Sequence, residues 1–222
     1  MNKNKISLIL NLIIFLLVTI GTVCMVCKIT FMGDYAILSD SNANALKFFT
    51  VDSNILMGII AIVFAYYQCL VINKKKKEIP QVMYTLKLMA TVGVTLTFIV
   101  TTCYLAPFSE YNYFDFFTNS NLFFHFLVPV LSVITYVFFE NTKDNKINST
   151  IIGIIPMIIY SIFYVTNYLV NRGNGPVKEY DWYGFMGKGI IGSIITVILM
   201  ILITYLISYT LWILNKKLYS KK

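Results

Sequence analysis

Apolar residues in this chain come in six long, nearly unbroken runs separated by short polar segments. The runs are Ile6–Cys27, Phe48–Ile72, Val82–Ala106, Phe116–Phe139, Ile151–Val170 and Gly189–Leu214. Each reaches the roughly 20 residues that carry an α-helix across about 30 Å of hydrocarbon. None alternates apolar with polar, as the strands of a membrane β-barrel do. The pattern predicts an all-α polytopic membrane protein, a single domain over residues 1–222 with six transmembrane helices in one bundle. The first run is too long for a signal-peptide core, and no small-x-small cleavage site follows it, so it reads as an uncleaved span.

Composition supports this class. Hydrophobic residues make up 58% of the chain and charged residues 13%, about half the charge of a soluble domain. With 17 Phe and 16 Tyr, an ordinary soluble enzyme, a disordered chain and a fibrous one are excluded. The net charge is +8. The basic residues lie beside the apolar runs, which points to membrane orientation rather than to nucleic acid. Lys3, Lys5, Lys74 to Lys77, Lys143, Lys146, Lys216, Lys217, Lys221 and Lys222 share one side. Lys28, Lys47, Arg172, Lys178 and Lys188 share the other. Positively charged loops stay in the cytoplasm, so both termini are expected there, in a cell membrane. Lys87 lies within the third span, near its inner end, and is expected to snorkel inward.

The long loops, Lys28–Lys47 and Asn171–Lys188, then face outside. Tyr180–Phe185 reads YDWYGF. Such a segment serves either as an interfacial aromatic belt or as the roof of a pocket. An internal echo links Phe48–Leu56, FFTVDSNIL, to Phe116–Leu122, FFTNSNL. Both copies open a span at the outer face. Helix capping by Thr, Ser and Asn accounts for the lettering as well as a functional role does.

Polar groups inside a membrane are costly and mark functional sites. The second span carries Thr50, Asp52, Ser53 and Asn54 in its outer half. The fourth carries Thr118, Asn119, Ser120, Asn121 and His125. Thr50 and Asn54 share one helical face, as do Thr118, Asn121 and His125. Pro129 takes the hydrogen-bond donor away from the carbonyl of His125 and is expected to kink the helix there. His125 is the only histidine, which excludes a multi-histidine metal site and a bis-histidine haem. A lone histidine on an apolar helix is often simply a core residue. The surrounding hydroxyls and amides favour chemistry instead: a hydroxyl nucleophile needs a base within reach, and the base needs an orienting partner. Thr50 or Ser53 would supply the hydroxyl and His125 the base. Asn121, Asn54 or Asp52 would hold the ring or stabilise an oxyanion. Depth is the obstacle. His125 lies about nine residues, roughly 13 Å, into its span, whereas Thr50 lies two residues into its own. The two meet only if the second helix begins near Asn42–Asn44 or the helices are offset.

These residues resemble the androgen-induced and androgen-dependent-TFPI-regulating proteins and their bacterial six-span relatives. Those are multipass membrane hydrolases of fatty acid esters of hydroxy fatty acids. FFTVDSN is similar to the family's threonine motif at a helix start, with Thr50 in the nucleophile's place. NLFFHFLVPVLS is similar to its histidine motif, with His125 one turn before Pro129. EYDWYGF resembles the family's late Trp-Tyr-Pro element but lacks the proline. The resemblance implies that Thr50 attacks a lipid ester as nucleophile, with His125 as general base, and that membrane lipids are both environment and substrate.

Other readings remain. The same polar pocket would serve a non-enzymatic substrate-binding or transport subunit. Lys74 to Lys77 could dock anionic lipid or a cytoplasmic partner, although orientation alone explains them. Cys24 and Cys27 form a CxxC in an apolar helix, with Cys103 at the same face and Cys69 at the other. Packing accounts for them, and a disulfide from Cys103 to Cys24 or Cys27 stays open. Asn148–Thr150 is sequon-like but falls on the inner side. No metal or cofactor is expected: the ligand clusters are missing, and so is a Gly-rich phosphate loop.

Overall fold

The computed structural model describes residues 3–33, 40, 42–142, 146–187 and 189–219. Lys143, Lys188, Lys221 and Lys222, and the middle of the first long loop, lie outside the described residues. The chain is all-helical, with no strand among the described residues. Six helices are long and apolar enough to cross a membrane: α1 (Lys3–Val26), α2 (Phe49–Ile72), α3 (Gln81–Leu105), α4 (Ser120–Phe139), α5 (Ser149–Asn171) and α6 (Ile191–Tyr219). Lys3 Nζ donates to the carbonyl of Tyr219 at 2.9 Å, so both termini lie at one end of the bundle, here the terminal end. Thr50, at the start of α2, lies at the opposite end.

Helix α3 is the hub and packs against α2, α4, α5 and α6. Its Leu88, Val92 and Leu96 are fully or almost fully buried, against a core that includes Phe124 and Tyr136. The outward faces of α1 and α6 expose Ile9, Leu16, Ile191 and Ile198, among others, as a lipid-facing surface requires. Close approach depends on small residues. A Cβ on Gly21 of α1 would lie 2.8 Å from the ring of Phe124, so only glycine lets α4 sit there. Likewise Gly153 admits Ser208 of α6, whose hydroxyl donates to the carbonyl of Thr150 at 2.9 Å.

Two starts differ from expectation. The fourth helix begins at Ser120 rather than Phe116. Tyr113–Phe117 forms a 3₁₀ turn, and Asn119 then adopts φ +52°. The side chain of Asn119 fixes this break by accepting from the amides of Phe31 and Met32 at 2.7 and 2.9 Å and donating to the carbonyl of Met32 at 3.1 Å. At the second helix, Asn42–Lys47 is also a 3₁₀ turn. Phe48 is extended between it and α2, so α2 is not lengthened.

Both α3 and α4 contain a wide π turn at the Thr50 end, Thr101–Leu105 and Phe123–Leu127. Pro129 explains the second. It offers no N–H to the carbonyl of His125, and the chain widens so that Val128 N donates back to Phe123.

Lys87 does not snorkel. It is 0% exposed, and its Nζ meets the Asn11 side-chain oxygen, Met57 Sδ at 3.6 Å and Glu140 Oε1 at 3.7 Å. Asn11 Nδ2 also donates to Glu140 Oε1 at 3.1 Å and to the carbonyl of Ser7 at 2.9 Å. Partners from α1, α2 and the end of α4 thus suffice for the ammonium to stay inside.

Candidate functional site

The first turn of α2 places its polar residues in four directions. Thr50 lines a narrow cavity of about 50 Å³ between α2, α3, α5 and α6. Ser53 turns to α3, where its hydroxyl lies 3.3 Å from that of Thr97. Asp52 is exposed and lines a cleft between α2 and α5. Asn54 faces α4: its Nδ2 donates to the carbonyl of Thr50 at 2.7 Å and to that of Phe124 at 3.3 Å. One side-chain amide therefore bonds to the backbone of Thr50 and to that of Phe124, the residue before His125. The late, 3₁₀-led start of α4 brings His125 closer to the start of its helix, and α2 is not lengthened.

His125 is 3% exposed. Its Nδ1 lies 2.7 Å from the carbonyl of Phe116, and the ring of Phe117 stands edge-on to the imidazole. A carbonyl only accepts, so Nδ1 carries the proton. In the neutral ring, Nε2 then holds the lone pair of a base. The orienting partner is a backbone carbonyl in the 3₁₀ turn, not Asn121, Asn54 or Asp52. Thr118 caps that turn, donating to the carbonyl of Asp115 at 2.9 Å. Asn121 is buried in the first turn of α4, its amide donating to the carbonyl of Thr118 at 3.0 Å.

Thr50 and His125 share no hydrogen bond. The Thr50 hydroxyl instead lies beside the phenol of Tyr183, which also accepts from the amide of Phe49 at 3.1 Å. Burial pushes the Tyr183 phenol up to about 12, so it is neutral at ordinary pH. Tyr183 and Phe116 line a common hollow of about 250 Å³ at this end of the bundle.

Tyr183 belongs to the YDWYGF segment, which is a roof and not an exposed belt. Asp181 and Trp182 are buried. Asp181 accepts from the Tyr164 hydroxyl and from the amide of Met186. Trp182 Nε1 donates to the Tyr160 hydroxyl at 3.0 Å, which in turn donates to the carbonyl of Lys47 at 2.7 Å. A turn closed by Gly184, with φ +67° and its amide on the carbonyl of Asp181 at 3.0 Å, folds the segment inward.

The cavity walls are mostly apolar, although Thr50, Thr97, Thr101, Ser161 and Thr196 are among the lining residues. A water needs roughly 10–15 Å³ of such space, so the cavity admits a few waters but no acyl chain. Wider clefts flank it. One of about 540 Å³ shares Phe49 and Tyr160 with it, and one of about 450 Å³ shares Met186 and Val197.

Sequence reasoning missed Tyr160 and Tyr164, which hold the roof, and the Lys87–Glu140 centre. The spacing of Ser7 and Asn11 on one face of the first span was a usable signal. So was the presence of Lys87 inside an apolar run. All four cysteines are free thiols, and no cluster of metal-ligating side chains occurs among the described residues. No family model matches the chain, and no curated protein or solved structure matches it either.

Proposed function

We propose that this chain is an intramembrane hydrolase of lipid esters, with Thr50 as nucleophile and His125 as general base. The observation that carries the reading is the Asn54 bridge, which holds the backbones beside Thr50 and His125 within one amide's reach. Three further features support it: the fixed tautomer of His125, the small, mostly apolar cavity that Thr50 lines, and a π turn around the proposed base. Such turns are frequent at functional sites. Catalytic hydrogen bonds often close only once substrate is bound.

In this mechanism the Thr50 hydroxyl leaves Tyr183 and turns to Nε2 of His125. Its oxygen bonds to the ester carbonyl carbon while its proton passes to Nε2. The tetrahedral intermediate expels the alcohol, which takes that proton. Water then gives a proton to Nε2 and its oxygen to the acyl carbon. Thr50 is released with the proton, and a free carboxylic acid departs. The lysine distribution supports a cytoplasmic position for the terminal end, which sets the site toward the external leaflet.

The absence of a Thr50–His125 hydrogen bond favours one second reading, a subunit that binds a polar ligand without cleaving it. Labelling with a fluorophosphonate separates the two. Wild-type protein labels and cleaves a lipid ester, Thr50→Ala and His125→Ala do neither while expressing normally, and Thr50→Ser keeps part of the activity. Normal turnover by either alanine variant rejects the assigned roles. An unlabelled, inactive wild type supports the binder.

A further inference from the structure

Arg172, the only arginine in the chain, stands at the Thr50 end of α5 without an ion pair or side-chain hydrogen bond among the described residues. It is exposed and lines the cleft of about 450 Å³ between α5 and α6. The walls below it are Val165 and Leu169 of α5, Ile194 and Val197 of α6, and Met186 of the roof. This volume lies within the roughly 300–1,000 Å³ range of small-molecule sites. Glu179, in the following loop, makes no salt bridge to the guanidinium among the described residues.

We infer that this cleft holds one long-chain carboxylate, its head on Arg172 and its chain between α5 and α6. Two observations select that occupant. Apolar walls suit an acyl chain, and the one cation among the described lining residues matches a head of single negative charge. A guanidinium grips a carboxylate through two parallel hydrogen bonds, in a geometry that an ammonium does not reproduce. The cleft also adjoins the Thr50 cavity, with Met186 and Val197 as their common wall. Met is the most pliable side chain to stand there. The inference deepens the proposed function: ester cleavage at Thr50 produces a carboxylic acid, and the adjoining cleft is its exit site.

The test uses the full chain in lipid nanodiscs, with a palmitic acid bearing a mid-chain diazirine, and maps the crosslinked peptides. The probe is expected to label α5 and α6 residues of the cleft. Arg172→Gln lowers labelling at a given probe concentration about 10-fold or more, while Arg172→Lys keeps an intermediate level. The corresponding diazirine fatty amide, which has no charge, labels poorly. Val197→Trp, which fills the cleft and leaves Arg172 in place, blocks labelling if Arg172→Gln proves unstable. Equal labelling by acid and amide, or full labelling of both variants, overturns the site. Thr50→Ala is expected to bind the probe like wild type. Carboxylate binding in a protein that cleaves no ester would therefore sink the hydrolase while leaving the cleft.

Discussion

The imidazole of His125 donates its one N–H, at Nδ1, to the carbonyl of Phe116, nine residues earlier, at 2.7 Å. A backbone acceptor inside a 3₁₀ turn thereby fixes which ring nitrogen is basic. It couples the imidazole to the loop that precedes its own helix.

His125→Asn tests this arrangement. Asparagine places an N–H where Nδ1 stands, within reach of the carbonyl of Phe116, but has no basic nitrogen. Ester cleavage should fall at least about 100-fold, the usual share of a general base. The thermal midpoint should stay near that of wild type. Unfolding measured beside hydrolysis on the same preparation checks both, and retained turnover removes His125 from the chemistry.

Tyr183→Phe separates the roof from Thr50, the proposed nucleophile. The amide of Phe49 loses its acceptor, which costs about 1–3 kcal/mol for a buried donor. The Thr50 hydroxyl loses its present neighbour, so fluorophosphonate should label it faster than in wild type. The phenol's folded value, about 12, lies above the usual 10. Its stabilising contribution is therefore complete below pH 10 and lost as pH rises through about 12. Alkaline melting curves should show wild type losing more stability across that window than Tyr183→Phe.

The Lys87–Glu140 centre should behave as a unit. Lys87→Met leaves a buried carboxylate without its cation, a loss of about 3–5 kcal/mol. Joining it to Glu140→Leu removes both charges and should recover most of that loss. A double-mutant cycle in detergent measures the coupling. Additive losses would show that the two side chains do not interact energetically.

Asn119 combines a positive φ with three hydrogen bonds to Phe31 and Met32. Asn119→Gly forfeits the bonds but suits the backbone. Asn119→Ala forfeits both, and should be the less stable of the two by about 1 kcal/mol. Melting temperatures of the pair decide it, and the reverse order would show that the backbone conformation costs nothing.

The six apolar runs of the sequence determined six membrane-length helices by themselves, because the hydrocarbon thickness demands about 20 apolar residues whatever the neighbours are. The polar lettering at the starts of the second and fourth spans also identified the Thr50 end as chemically unusual, since such groups are costly in lipid. What each side chain faces was decided only by the tertiary structure. Helical spacing predicts a shared face within one helix, but it is silent on the rotation and axial offset of a neighbouring helix. Asn54 therefore spans two backbones, His125 takes a carbonyl from its own preceding loop, and Thr50 lies beside a tyrosine from a segment more than a hundred residues away. Lys87 shows the same limit. A lysine near a helix end snorkels by default, and only the convergence of Asn11, Met57 and Glu140 from three other helices holds it inside.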